Sequence, residues 1–158
     1  MVTEDSSADI VLRGGLLHVL DVEDTRAEAI AIRDGRIVAI GDDSAVAAHI
    51  GPRTAIVELD GRAVLPGIND AHLHASWLGA LWPRTIFSPD GPPPEGPLVT
   101  TDAERRDALL RALELLASLG ITSFTEPGIG PGEDDGPTGS FGSPVLRIYR
   151  ELAAEGLL

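Results

Sequence analysis

Pro66-Gly67-Ile68-Asn69-Asp70-Ala71-His72-Leu73-His74 decides how this chain is read: an apolar run ends in Pro-Gly, and an acid and two histidines then stand at every second position. A strand alternates its side chains between two faces. An extended backbone here therefore sets Asp70, His72 and His74 on one face and Ala71 and Leu73 on the other. Two imidazoles so spaced can reach one metal ion, and a carboxylate just upstream can accept a hydrogen bond from a ligating ring and fix its tautomer. His72 and His74 are thus candidate metal ligands, with Asp70 as a supporting carboxylate. The alternative that the same residues allow is a structural histidine pair in a βα domain without metal.

Upstream of this stretch the texture is that of short strands. Ile10 to Leu12, Leu16 to Leu20, Ala29 to Arg33 and Arg36 to Ile40 read as β, with Gly14-Gly15 as a turn between the first two. Asp34-Gly35 lies between two alternating runs and predicts a hairpin, because both central residues of a type I′ turn need positive φ. Ser44 to Ile50 reads as a short helix capped by Asp43 or Ser44 and ended by Gly51-Pro52. Thr54 to Leu59 and Arg62 to Leu65 read as two more strands around Asp60-Gly61. Residues 1 to 64 therefore form a small β unit of sandwich type. His18 and His49 fall inside it, isolated from other ligand types, and are not taken as ligands. Met1 to Asp9 is acidic and polar, reads as a frayed tail, and lacks the basic start and apolar core of a signal peptide.

Downstream, Ala75 to Leu81 is short and apolar, and Ser88 to Pro97 is a turn-rich loop that sustains neither helix nor central strand. Thr101-Asp102-Ala103-Glu104 is a capping box that opens a helix running through Leu119 and ended by Gly120. Leu109, Leu113 and Leu116, with Ala112 and Leu119 near the same stripe, give that helix a buried face. Ile121 to Glu126 reads as a strand, Pro127 to Gly142 as a second Gly/Pro-rich loop, and Pro144 to Glu155 as a helix with Ser143 as N-cap. The alternation of strand, loop and helix from residue 65 to 158 is that of a βα barrel or a doubly wound sheet.

Composition narrows the function classes. A net charge of −13 over 158 residues repels nucleic acid and anionic membrane surfaces, and the 12 basic residues form no cluster that offsets it. With no cysteine, disulfides and thiolate ligands are both excluded, which suits a cytoplasmic protein. Any metal has to be held by histidine and carboxylate. No apolar run approaches the roughly 18 to 20 residues that span a bilayer.

Residues 56 to 74, supported by Gly120-Ile121-Thr122-Ser123, resemble the entry to the barrel in the amidohydrolase superfamily of metal-dependent hydrolases, in the group that includes N-substituted formamide deformylase. The resemblance implies an α/β fold: the start of a (β/α)8 TIM-like barrel over residues 65–158, preceded over 1–64 by part of a β-sandwich that such enzymes build from both chain termini. It implies that His72 and His74 ligate a divalent metal, zinc first, with iron, manganese or nickel also suited to such donors. The implied chemistry is hydrolysis of non-peptide, amide-type carbon–nitrogen bonds in a small molecule by metal-activated water.

Family enzymes complete the site with a carboxylated lysine or a glutamate, two later histidines and a late aspartate on subsequent strands. This chain carries only two βα units after residue 65, against the roughly 200 residues of a whole barrel. No lysine follows His74. The expectation is that the polypeptide by itself is inactive and contains no catalytic residue. Asp70 and Glu126 are then supporting carboxylates, Glu126 orienting a ligand or substrate from the end of the second strand or else serving as a solvated loop acid. Trp77, Trp82, Phe87 and Phe141 either line an apolar substrate pocket or cover an open barrel edge. The competing expectation is a non-catalytic remnant or interaction chain that pairs with a partner polypeptide through exposed strand edges. Both allow a complementing chain or a homo-oligomer.

Overall fold

The computed structural model describes residues 6–84, 89, 91, 97–130 and 142–158, arranged as two compact units, Met1–Pro66 and Gly67–Leu158. The loops expected over Ser88 to Pro97 and Pro127 to Gly142 fall largely outside the described residues, as do Phe87 and Phe141.

The first unit contains β1 (Ile10–Arg13), β2 (Leu16–His18), β3 (Arg26–Ala27), β4 (Ala29–Arg33), β5 (Arg36–Gly41), α1 (Asp43–Ala47), β6 (Ala55–Glu58) and β7 (Ala63–Val64). One sheet has the order β5-β4-β1-β6 and a second the order β3-β2-β7. The alternation of β4 explains why two sheets form. Ala29 and Ala31 pack with Ala8, Val11 and Val46 on one side, while Ile30 packs with Leu17, Ala27 and Leu59 on the other.

The β4–β5 hairpin turns through Asp34 and Gly35, at φ 51° and 68°, as the Asp-Gly pair predicts. Other details depart from expectation. The sequence places strands on both sides of Asp60-Gly61, and both form, but with shorter bounds than read: β6 runs parallel to β1 in one sheet and β7 parallel to β2 in the other. The cap of α1 is Asp42, whose carboxylate accepts from the Ala45 N–H and the Ser44 hydroxyl, so both Asp43 and Ser44 are already helical. Ser6 to Asp9 is no frayed tail: Ala8 is buried, its N–H bonds to the His49 carbonyl, and Asp9 accepts from the Asp34 N–H.

The second unit contains β8 (Ile68–Asp70), α2 (Ala75–Leu81), α3 (Asp102–Ser118), β9 (Ile121–Phe124) and α4 (Ser143–Ala154). β8 and β9 are parallel, with Ile68 opposite Ile121 and Asp70 opposite Phe124, and α3 makes the crossover between them. The Pro-Gly before β8 has a steric basis. A Cβ on Gly67 would lie 2.1 Å from the Thr122 hydroxyl oxygen, so only glycine lets the incoming chain lie against β9.

The capping box forms as read: Thr101 accepts from the Glu104 N–H, and the Glu104 carboxylate accepts from the Thr101 N–H. α3 buries Ala108, Leu109, Ala112 and Leu116 between α2 and α4, whereas Leu119, expected near the buried stripe, is 61% exposed. The cap of α4 is Gly142, with Ser143 in the first helical position and Pro144 inside the first turn, where a missing N–H removes no helical bond. No helix among the described residues is long and apolar enough to cross a membrane.

Candidate metal centre

β8 ends at Asp70, earlier than the alternating pattern implies, and the backbone bends through 71–74 into α2, whose N-cap is His74. A common strand face for Asp70, His72 and His74 is therefore not what joins them. Two backbone bonds continue the β8–β9 pairing past both strands: the Thr125 N–H bonds to the Asp70 carbonyl at 2.8 Å, and the Leu73 N–H to the Thr125 carbonyl at 2.9 Å. The bend thus stays fastened to the end of β9. It brings the rings of His72 and His74 to a centroid separation of 5.2 Å, nearly edge to face at 82°.

The two carboxylates divide their work differently from what spacing suggests. Asp70 Oδ1 accepts from the His72 backbone N–H at 3.0 Å, so it fixes the turn and not a ring. The ring partner is Glu126, just beyond β9, whose Oε1 lies 2.7 Å from His74 Nδ1 and also accepts from the Gly128 N–H at 3.1 Å. The Glu126 side chain is only 8% exposed and that of His74 31%, whereas His72 is open to solvent. Trp77, on the first turn of α2, stacks its ring 6.1 Å from that of His74. A neutral His74 whose Nδ1–H donates to Glu126 would have its lone pair on Nε2, the tautomer that suits a ligating ring.

Among the described residues, Ser76 Oγ, Glu126 Oε2 and the Tyr149 hydroxyl are further buried polar atoms with no close hydrogen-bond partner. Burial, and next the charge of Glu126, raise the pKa of the Tyr149 phenol above its ordinary value, with Ser76 opposing them. Tyr149 was not singled out by sequence. Its only signal is a hydroxyl-bearing residue within the buried stripe of α4 formed by Val145, Ile148 and Leu152. Tyr149 and Glu126 both line a cavity of about 900 Å³ whose other walls include Leu113, Phe124, Ile129 and Leu146. Neither Trp77 nor Trp82 borders it. His18 and His49 lie in the first unit, and among the described residues no group of three or more metal-ligating side chains converges.

The adenine deaminase of Paracoccus denitrificans (strain Pd 1222) is 40% identical over 68 residues, which is 42% of this chain and 11% of that enzyme. The N-substituted formamide deformylase of Arthrobacter pascens is 29% identical over 78 residues, 49% of this chain and 14% of that enzyme. Over less than half of its length, then, this chain is similar in sequence to enzymes named adenine deaminase and N-substituted formamide deformylase. Among solved structures, an uncharacterized metal-dependent hydrolase from Pyrococcus furiosus superposes with a TM-score of 0.67 at 16% identity, over 94% of this chain and 48% of that one. The likeness in fold therefore extends to nearly the whole chain, while the matches span about a tenth of the curated relatives and half of the solved hydrolase. No protein-family model matches the chain.

Proposed function

We propose that this chain forms the metal-binding opening of an amidohydrolase that cleaves non-peptide carbon–nitrogen bonds in small amide-type molecules. In this reading β8, α3 and β9 are the first strand, its returning connection and the second strand of a (β/α)8 barrel, and residues 1–64 belong to the accompanying β-sandwich. The observation that carries the reading is the His74 Nδ1 to Glu126 contact at 2.7 Å beside the His72 ring, since a buried carboxylate on the far nitrogen is how proteins hold a ligating imidazole.

The residues fit a divalent ion as far as they go. They supply two imidazole nitrogen donors, one of them oriented by a carboxylate, and no thiolate, a set suited to zinc, iron, manganese or nickel. A bound ion of this kind polarises the scissile carbonyl and makes water nucleophilic near neutral pH. The chain's own contribution is positional. Asp70 holds the bend that presents His72, Glu126 holds His74, and Trp77 backs the His74 ring.

Catalytic zinc sites normally have three protein ligands. The remaining ligands and the proton-transferring base would come from strands added beside β8 and β9, through further polypeptide, a complementing chain or a second copy. Two features support such addition: the β8–β9 sheet has no further strand among the described residues, and Ile68 is 53% exposed. The same bare edges favour the second reading, a non-catalytic chain that binds a partner polypeptide.

The test is a zinc titration of the 158-residue chain beside His72→Ala, His74→Ala and the double variant, together with an amide-hydrolysis assay. The expected result is one histidine-dependent ion per chain and no hydrolysis at enzyme-like rates by the chain alone. A wild-type chain that takes up zinc no better than the double variant overturns the metal reading.

A further inference from the structure

Gly79 lies buried in the last turn of α2, where a helical carbonyl accepts from the N–H four residues on. That residue is Pro83, which has no N–H to give. The N–H one residue earlier is already spent, since Trp82 donates to the Leu78 carbonyl at 2.9 Å. Nor does α2 carry a basic residue in its last turn to bond its final carbonyls. The missing donor comes from α3: Arg111 Nη1 donates to the Gly79 carbonyl at 2.6 Å. A charged donor on a buried carbonyl makes a strong bond, and its removal leaves that carbonyl unsatisfied.

The opposite end of the same helix carries the candidate metal site. The Leu78 N–H bonds to the His74 carbonyl at 2.8 Å, so the backbone of His74 moves with α2. No side chain caps that end, and seven residues span only about 10 Å. The apolar contacts of Ala75 with Ala112 and Leu116 hold α2 against α3, but such contacts have no direction and do not fix where along α3 the short helix comes to rest. A directed bond does.

We infer that Arg111 is a positioning residue for the metal site: by anchoring the Gly79 carbonyl it fixes the lie of α2 along α3 and, through that helix, the place of the His74 ring beside His72. It acts from the far end of α2, at the level of backbone placement. The inference rests on the proposed metal site for its purpose, but ring placement can be measured without any metal.

The experiment is NMR of the metal-free 158-residue chain at one fixed pH, followed by titration with zinc alone, for wild type, Arg111→Met and Arg111→Lys. The wild-type Arg111 guanidinium is expected to show the hindered rotation of a bonded group. Arg111→Met should shift the ring signals of His74 and Trp77, whose centroids lie 6.1 Å apart, and leave those of His18 in the first unit unmoved. Zinc binding should weaken by about 10-fold, the scale of losing a group that supports a ligating histidine, and Arg111→Lys, which keeps a donor, should recover part of both effects. An arginine that serves stability alone would lower the melting temperature and leave the ring signals of the folded chain in place, and that result overturns the inference. So does a freely rotating guanidinium in the wild type, which can be read even where Arg111→Met fails to fold. Displaced rings with wild-type zinc affinity overturn it as well. A wild type that binds no zinc, but whose rings Arg111→Met displaces, sinks the metal reading and leaves the hold of Arg111 on α2 supported.

Discussion

Replacing Gly79 by alanine sets two effects of known size against each other. Gly79 lies inside α2, where exchange of glycine for alanine on its own favours the helix by about 1 kcal/mol. Against that, the new Cβ would stand 1.8 Å from the Ala108 carbonyl oxygen and 2.6 Å from its carbonyl carbon, and 3.2 Å from the Ala112 Cβ. The obstruction is the backbone of α3 and cannot rotate aside. α2 must retreat by about 1.5 Å to restore van der Waals contact, parting Ala75 from Ala112 and Leu116 and stretching the 2.6 Å bond from Arg111 to the Gly79 carbonyl. Overpacking of this kind costs about 3 kcal/mol or more, so the net loss is roughly 2 kcal/mol. For a unit of this size that corresponds to a melting-temperature drop on the order of 10 °C. Differential scanning calorimetry and urea denaturation measure it. A Gly79→Ala chain as stable as wild type would refute the account of how α2, and with it His74 at its N-cap, is held in place.

Two other substitutions isolate local causes. Gly35 sits at φ 68° with no atom within 4 Å of where a Cβ would be, so Gly35→Ala carries a purely conformational penalty of about 1 kcal/mol, and Gly35→Asn a smaller one, read from urea denaturation of the first unit. The Glu104 carboxyl is held down to about 2 by hydrogen bonds from the Thr100 and Thr101 backbone N–H groups and the Thr100 hydroxyl. Its folded pKa lies below its unfolded value of 4.5, so its contribution to stability is fully present above that value and fades as the pH falls toward 2. Acid titrations of unfolding free energy should show that Glu104→Gln flattens this part of the profile. An unchanged slope between those limits would mean that the capping box does not hold in solution.

What could be read in the sequence was the chemistry that is local. Asp34-Gly35 and Thr101-x-x-Glu104 each contain both halves of the interaction they announce, within four residues, and both formed as read. The signals that failed were those where neighbours compete. Ser143 is a good cap by type, but Gly142 takes the extended conformation before the helix and leaves Ser143 inside it. Asp42 outcompetes Asp43 and Ser44 because its side chain reaches the Ala45 N–H. β3 spans two residues, too few for any alternation to register, and α2 is too short to show a helical period. The pair His72 and His74 is visible as a spacing, but a bend achieves what the spacing assigns to a strand, because the local bond from the His72 N–H to Asp70 competes with strand pairing and both residues permit either.

Glu126 shows why the ring partner had to wait for the structure. It lies 52 residues from His74, and as an acid at the start of a Gly/Pro-rich segment it looked equally suited to solvent. Its burial changes the argument. Withdrawing a carboxylate from water costs several kcal/mol, and two hydrogen bonds on one oxygen, from an imidazole and a backbone amide, offset only part of that. A surface acid with no task would swing outward and recover its hydration. Retention of this one beneath two clustered imidazoles is what the proposed metal site would require. Among the described residues its ion-pair partner is His74, and under the proposed function a cation shared by His72 and His74 would add to that compensation.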